Sequence, residues 1–263
     1  CIIQARINSS RLPGKILLNG FDKPLIIHLV ERLKKSKFIS KIVIATTKNK
    51  INEILSTICK QIKINCFKGH EEDVLSRYFH CAKKFNAQII VRITSDCPLI
   101  DVNIVDKTIE KFLYYNVDYA SAFHHSIELD GFDVEVFSFE SLRKNYFLAK
   151  KKYEREHVTP YILNNPKTFK LINFSYLNRK KKYHYRIRLT LDYIEDYYLI
   201  FYIYQSLYKK NKFFKINDIL NFLDKKRELL NINKKYIKVN RNHSLIKSYN
   251  KINSTKSFSY INF

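Results

Sequence analysis

The chain has 263 residues, of which 46% are hydrophobic and 27% charged, and a chain of this length and composition can bury a large core. It contains no run of about twenty apolar residues and its first residues lack the basic leader of a signal peptide, so we expect a cytoplasmic protein that does not insert into membranes. The formal net charge is +24, but the basic residues are spread along the whole chain, which favours a solvated basic surface over specific binding of nucleic acid.

Short β-rich runs alternate with amphipathic stretches along the first two-thirds of the chain. This alternation is typical of an α/β domain with a largely parallel sheet. The run at 88–94 is the most apolar of the predicted strands, so we place it near the centre of the sheet. In chain order, the pattern predicts strands over 2–5, 41–46, 62–67 and 88–94, and helices over 24–35, 51–60, 71–85 and 102–115.

The pattern continues until about Tyr236 and then fades into a stretch rich in Ser, Asn and Lys. We therefore predict one domain over 1–235 and a peripheral or poorly ordered tail over 236–263. The cysteines include no C-x-x-C pair, and we interpret them as reduced thiols. The later predicted elements are strands over 117–121, 134–139, 169–174 and 186–191, a loop over 124–131, and helices over 142–164 and 194–208.

The loop after the first predicted strand carries the cations Arg6, Arg11 and Lys15, with small or polar residues such as Ser10 between them. Guanidinium groups bind phosphate oxygens in pairs, and backbone N–H groups and Ser hydroxyls can fill the gaps, so such a loop can wrap a triphosphate. The segment matches neither G-x-x-x-x-G-K-[ST] nor G-x-G-x-x-G. Its residues alone leave open a plain surface loop in a lysine-rich protein.

A carboxylate, Asp96, follows the predicted central strand. The carboxyl ends of such strands are where α/β sheets place their ligands, and carboxylate oxygens suit a Mg²⁺ ion that bridges triphosphate oxygens. The alternative is that Asp96 only caps a turn before Pro98. Asp101 is expected to be the N-cap of the helix that begins near Val102.

Asp192 repeats this arrangement, because it ends a predicted strand and precedes a helix. It could supply a second metal ligand, or it could be only a helix N-cap. If Asp192 is the N-cap, Glu195 occupies the N3 position of a capping box, which predicts that the role of this motif is at least partly structural.

Two further groups of residues are candidates for contact with an acceptor substrate. Asp133 and Glu135 alternate on a predicted strand and so share one face, where, together with Asp130, they could meet an acceptor or a second metal. Like charges this close are costly unless a cation lies between them. Glu156 and His157 lie on a helical stretch, where a lone histidine is more often structural than catalytic.

Several segments in this order resemble the SpsF-type cytidylyltransferase family, which is related to CMP-Kdo synthetase and to the acylneuraminate cytidylyltransferases. The resemblance covers about residues 2–208. The segments that carry it are 3–15, 71–78, 94–101, 130–137, 154–161 and 189–196.

The resemblance implies a three-layer α/β fold that is GT-A-like (nucleotide-diphospho-sugar transferase), with a mixed, mostly parallel central sheet. It also implies CTP as the donor, Mg²⁺ as the cofactor, and a homodimer. The implied metal ligands are Asp96 and Asp192. Arg6, Lys15 and Asp96 are the expected catalytic residues. Acceptor binding is assigned to Asp133, Glu135, Glu156 and His157, and nucleotide binding to Ala5, Arg6, Ser10, Arg11, Lys15, Arg77 and Asp96.

The expected reaction is transfer of CMP from CTP onto a small anionic acceptor such as a sugar acid, with release of pyrophosphate, for surface polysaccharide or glycoconjugate synthesis. Two alternatives remain. One is a nucleotide-sugar-dependent glycosyltransferase on the same fold, against which the three cations of the first loop argue, because a triphosphate needs more positive charge. The other is a basic nucleic-acid-binding protein, which rests on net charge alone.

Overall fold

The computed structural model describes residues 1–122, 129–174 and 186–237. Its main sheet consists of the strands Ile2–Gln4 (β1), Val43–Thr47 (β2), Asn65–Gly69 (β3), Ile89–Thr94 (β4), Tyr119–Ala122 (β5), Val134–Ser138 (β7) and Leu171–Phe174 (β8). A separate pair is formed by Leu129–Asp130 (β6) and Ile187–Arg188 (β9), which run parallel to each other.

The seven-stranded sheet has the order β3-β2-β1-β4-β7-β5-β8. Strand β7 runs antiparallel to both of its neighbours, and the other pairs are parallel, so the sheet is mixed and mostly parallel as predicted. Strand β4 is the middle strand, which confirms its predicted central place. Three strands lie on each side of β4, and this interior position agrees with its apolar sequence.

Helices cover both faces of the sheet. They are Leu25–Leu33 (α1), Glu53–Gln61 (α2), Val74–Lys84 (α3), Val102–Tyr115 (α4), Phe139–Leu148 (α5), Lys152–His157 (α6), Pro160–Asn164 (α7), Ile194–Leu207 (α8) and Ile216–Lys225 (α9). None of the helices in the described ranges is long and apolar enough to cross a bilayer.

Successive strand residues point to opposite faces of the sheet, and this alternation builds two separate apolar clusters. In β1, Ile3 belongs to a cluster with buried side chains from α1, α2, α4, α8 and α9. Its neighbour Ile2 belongs to the other cluster, with buried side chains from α3, α5 and α7. The predicted three-layer arrangement is therefore confirmed.

The structure differs from the sequence-based prediction in the second half of the chain. One helix is predicted over 142–164, but three short helices, α5, α6 and α7, occupy this region. The break between α6 and α7 falls at Val158, whose φ is 73°, and Pro160 then starts α7 because proline lacks the N–H that a helix interior needs. Helix α9 is not predicted at all.

Smaller differences concern single segments. The strand predicted over 186–191 is only the short β9, and part of the loop predicted over 124–131 is strand β6. Residues 123–128 of that loop, and the predicted tail from 238 onward, lie outside the described residues. All cysteines fall within the described ranges and carry free thiols, as predicted.

Candidate active site

A cleft of about 520 Å³ opens at the edge of the sheet where β1 and β4 end. Four parts of the chain line it: the loop after β1, the beginning of α3 with the segment before it, the end of β4, and α6. The edge is the one at which an α/β sheet is expected to bind its ligand. The predicted site residues that line the cleft are Ala5, Arg6, Ser10, Arg11, Lys15, Arg77, Asp96, Glu156 and His157.

The loop after β1 has a defined shape that turns its cations toward the cleft. The Ile7 carbonyl accepts hydrogen bonds from the N–H groups of Ser9 at 2.9 Å and Gly14 at 2.8 Å, which closes the loop. Gly14 has a φ of 72°, a left-handed conformation that glycine adopts without a steric penalty. The Ile7 N–H donates to the buried Asn52 side chain at 2.8 Å and so anchors the loop.

Lys15 lies between the two carboxylates that the sequence assigns to a metal. Its Nζ is 2.9 Å from Asp192 Oδ1 and 3.9 Å from Asp96 Oδ2, and it donates to the Leu191 carbonyl at 2.5 Å. The fold therefore brings together a loop near the start of the chain, the end of the central strand and the segment before α8. This convergence agrees with the sequence-based grouping of the three motifs.

Asp192 is surrounded by cations. Its Oδ1 accepts from Arg11 at 2.5 Å and Lys15 at 2.9 Å, and its Oδ2 accepts from Arg188 at 2.9 Å. Burial raises the pKa of Asp192, but Lys15, Arg11 and Arg188 together outweigh burial and lower the pKa to about 2. Asp192 is thus ionised with both oxygens bound. To ligate a metal it must first release Lys15 or Arg11, for which a phosphate would be an alternative partner.

The residues that follow Asp192 correct two sequence-based interpretations. Tyr193, not Asp192, is the N-cap residue of α8, so Asp192 is not a helix cap. The N3 carboxylate is consequently Asp196, not Glu195, and its Oδ2 accepts from the backbone N–H groups of Asp192 at 2.9 Å and Tyr193 at 3.0 Å. The helix begins one residue later than the capping pattern predicts, so the N-cap moves from Asp192 to Tyr193 and the N3 position from Glu195 to Asp196.

Arg188 is a buried residue of the site that the sequence analysis missed. Its guanidinium binds Asp130 at 3.1 Å, Asp192 at 2.9 Å and Asp196 at 3.0 Å. Asn233 closes the group by donating to the Arg188 carbonyl at 2.9 Å and to Asp196 at 2.8 Å. A buried arginine with several carboxylate partners is held rigidly, so Arg188 orients Asp192 toward Lys15.

The charge around Asp96 suits a divalent cation. Its side chain is 30% exposed in the cleft. Burial, followed by the nearby carboxylates Asp130, Glu135 and Asp96, raises the pKa of Asp133 well above its ordinary value. A bound cation would relieve this crowding of negative charge. Within the described ranges no three ligating side chains converge, so a metal at Asp96 needs further oxygens from substrate and water, as Mg²⁺ commonly does.

Glu135 is buried within the protein and is not among the described residues that line the cleft, so its predicted acceptor contact has no support in this structure. It pairs with Arg92 and accepts from the hydroxyls of Tyr119 at 2.7 Å and Thr159 at 2.6 Å. Arg92, which lines the cleft, also donates to Gln4 at 3.2 Å. Glu135 therefore holds Arg92 in the cleft floor. An arginine inside the most apolar strand was the signal that could have revealed this pair.

Asp133, which was also predicted to contact the acceptor, is likewise not among the described residues that line the cleft.

Arg77 is buried in the cleft wall, where it donates to the carbonyls of His70 at 2.6 Å and Glu71 at 3.3 Å. Burial lowers the pKa of Arg77. Gly69 packs directly beside it, because a Cβ at this position would lie 2.9 Å from Arg77 Cγ. The first turns of α3 therefore present a fixed cationic side chain to the cleft, held by the carbonyls of the segment before the helix.

Comparison with known proteins finds a matching family and similar proteins. A family model described as cytidylyltransferase matches residues 1–250. An uncharacterized protein of Methanocaldococcus jannaschii is 41% identical over 237 residues, covering 88% of this chain and 93% of that protein. The spore coat polysaccharide biosynthesis protein SpsF of Bacillus subtilis is 31% identical over 215 residues, covering 78% and 85% of the two chains.

One solved structure and one shorter sequence match are also cytidylyltransferases. The structure of a cytidylyltransferase from Leptospira borgpetersenii superposes with a TM-score of 0.79 at 35% identity, covering 87% of this chain and 94% of that one. A 3-deoxy-manno-octulosonate cytidylyltransferase from Trichlorobacter lovleyi is 34% identical over 112 residues, which cover 43% of this chain and 44% of that protein. The chain, with its cleft of converging cations and carboxylates, belongs to the cytidylyltransferase family.

Proposed function

We propose that the protein transfers CMP from CTP to a sugar acid, with Mg²⁺ bound at Asp96, and releases pyrophosphate. The observation that carries this proposal is the position of Lys15, whose Nζ lies within 4 Å of both Asp96 and Asp192 at the wall of a cleft that Arg6 and Arg11 also line. Membership of the cytidylyltransferase family supports CTP as the donor. The match to a 3-deoxy-manno-octulosonate cytidylyltransferase supports a sugar acid as the acceptor.

In the proposed reaction a hydroxyl oxygen of the acceptor attacks the α-phosphorus of CTP, and its proton passes to solvent. The bond from that phosphorus to the bridging oxygen breaks, and its electron pair leaves with pyrophosphate. No covalent intermediate with the protein is needed, so the protein acts by positioning and by cancelling charge. Bound Mg²⁺ would supply positive charge to the phosphate oxygens.

The cations of the first loop have the main protein role in this scheme. Without a ligand, Lys15 and Arg11 are bound to Asp192. A triphosphate offers these cations more negative charge than one carboxylate does, so we expect them to move onto the phosphates. This exchange would free an Asp192 oxygen, which would then be available to the metal as the sequence predicts. Arg188 keeps Asp192 in place during the exchange.

Thermal unfolding with CTP, UTP, ATP and GTP, each with and without Mg²⁺, tests the proposal without knowledge of the acceptor. A ligand at about a hundred times its Kd should stabilise the protein by about 2.7 kcal/mol, which is a shift of a few degrees for a chain of this size. We expect CTP to stabilise most, and Mg²⁺ to increase its effect. Equal shifts for the four nucleotides, or none, would refute the assignment of CTP.

Asp96→Asn should abolish the additional stabilisation by Mg²⁺ and lower turnover on the order of a hundredfold, about 3 kcal/mol of barrier. Asp106→Asn is the matched control, because Asp106 lies on α4 and binds Ser36. Near-normal turnover of a folded Asp96→Asn protein would remove Asp96 from this role.

We also propose that the protein forms the homodimer that the family resemblance implies. Analytical ultracentrifugation tests this proposal.

A further inference from the structure

The junction between α6 and α7 contains a strained residue next to the cleft. Val158 has a φ of 73° and a ψ of −56°, which β-branched residues rarely adopt. The Thr159 N–H donates to the His157 carbonyl at 2.9 Å and so closes a three-residue turn around Val158. Turns of this positive-φ kind are rare and strained. Such a conformation costs about 1–3 kcal/mol and persists only where the surrounding structure holds it.

Hydrogen bonds on each side of Val158 hold this turn. The Val158 carbonyl accepts from the side-chain amide of Asn145 on α5 at 2.6 Å, and Asn145 is completely buried. The Val158 N–H donates to the Glu154 carbonyl at 3.1 Å. The Thr159 hydroxyl donates to Glu135 on β7 at 2.6 Å. The turn is thus tied both to a helix and to the central sheet.

The turn determines where the end of α6 faces. His157, immediately before Val158, lines the cleft together with Glu156. Arg92, also in the cleft, is held by the same Glu135 that binds Thr159. Burial lowers the pKa of His157, and the charged groups near its imidazole are Glu156, Arg92 and Glu135. Glu135 thus binds both Arg92 in the cleft floor and Thr159, two residues after His157.

Packing of the valine side chain does not by itself account for the turn. Val158 is fully buried in the apolar cluster below α5 and α7, and burying a valine contributes about 1.5 kcal/mol or more. That contribution is similar in size to the cost of the strained backbone, so the two nearly cancel. A glycine would adopt the same turn without strain, whereas an unstrained backbone would place His157 elsewhere.

We propose that the Val158 turn, held by Asn145, is a positioning element that fixes His157 and Glu156 at the cleft wall for contact with the acceptor. The contact with an acceptor rests on the function proposed above. Asn145, Val158 and Thr159 act through the residues they hold and do not themselves touch the substrate.

The first test follows the imidazole of His157 by NMR titration without any ligand, with the resonance assigned by its loss in His157→Gln. Asn145→Ala removes the donor to the Val158 carbonyl, so the turn should relax and the pKa of His157 should rise toward that of a free imidazole. Asn145→Ala/Val158→Gly should bring the pKa back toward the wild-type value, because glycine carries no steric penalty at this φ and therefore needs less support to form the turn. Leu142→Ala, which removes buried apolar volume from the same helix, is the control for general destabilisation and should leave the pKa unchanged.

The second test measures pyrophosphate release with CTP and 3-deoxy-manno-octulosonate as the probe acceptor. Asn145→Ala should raise the KM for the acceptor about tenfold or more, since small misplacements of contacting groups are costly. Stabilisation by CTP should not change, and the double variant should regain most of the lost acceptor affinity.

The outcomes separate the two proposals. A His157 titration that is identical in wild type and Asn145→Ala, or a double variant that is no closer to wild type than Asn145→Ala, would overturn the positioning role. If the titration follows the expected pattern but CTP does not stabilise the protein, the turn holds His157 as inferred and the proposed function fails.

Discussion

Lys15, Arg11 and Asp192 show how the same residues can serve two states of a site. Without a ligand, the two cations neutralise one buried carboxylate, and this makes the cleft stable although it concentrates charge. A buried charge that loses its partner costs about 3–5 kcal/mol. Lys15 is buried, so we expect it to leave Asp192 only when another partner replaces that carboxylate, whereas the more exposed Arg11 can also return to water. Release of Lys15 should therefore depend on binding of a ligand.

The pH dependence of stability should reveal the state of Asp192. In the folded protein its pKa is lowered from the ordinary value of 3.8 to about 2, so its stabilisation is fully present above about pH 4 and is lost as the pH falls through about 2. This shift corresponds to about 2 kcal/mol. In urea unfolding, the difference between wild type and Asp192→Asn should shrink by about that amount from pH 7 to pH 2. A difference that does not vary with pH would contradict these ion pairs.

At the scale of elements, α9 is attached to the loop that carries Asp96. The Asp101 side chain caps α4 by accepting from the Asn103 N–H at 2.9 Å, as predicted, and its second oxygen accepts from the Ile216 N–H at 2.9 Å. Arg32 on α1 reaches both Ile100, at 3.4 Å, and Phe214, at 2.8 Å, through their carbonyls. Helix α9 thus braces the β4–α4 loop at the floor of the cleft.

Substitutions of Asp101 should separate these two contacts. Asp101→Ala removes the cap and leaves the buried Ile216 N–H without a partner, so we expect a loss of about 2–4 kcal/mol in the free energy of unfolding. Asp101→Asn keeps one acceptor oxygen for Asn103 and should lose less. Urea unfolding measures both. An equal loss in the two variants would mean that the cap contributes nothing beyond the contact with α9.

At the scale of the whole molecule, the charge of +24 is a property of composition and does not identify a partner. Several described cations line the cleft, among them Arg6, Arg11 and Lys15, and carboxylates such as Asp96 line it with them. We therefore expect only weak binding to a single-stranded DNA oligonucleotide, falling at least about tenfold between 50 and 200 mM salt. Stabilisation by CTP and Mg²⁺ should change far less over this range. Tight DNA binding that persists at the higher salt concentration would favour the nucleic-acid alternative.

The sequence by itself determined those features that depend on local pattern. The alternation of β-rich and amphipathic stretches predicted the layers and the central place of β4, because periodicity reflects which face of each element is buried. The cap at Asp101 was predictable because a cap involves only neighbouring residues. Helix α9 carries the same kind of signal, with buried Ile216, Ile219, Leu220 and Leu223 at helical spacing, so it could have been predicted although it was not.

Only the tertiary structure decided which charged residues meet. Asp192 lies next to Lys15 although they are far apart in the sequence, and Glu135 is buried in its pairing with Arg92 and is not among the described residues that line the cleft. The Val158 turn has no local signal either, since a valine favours extended backbone and the distant contacts that hold it otherwise come from Asn145 and the sheet. Local sequence determines periodicity and caps, whereas the partner of a buried charge and a strained backbone depend on distant groups that only the assembled fold brings into contact.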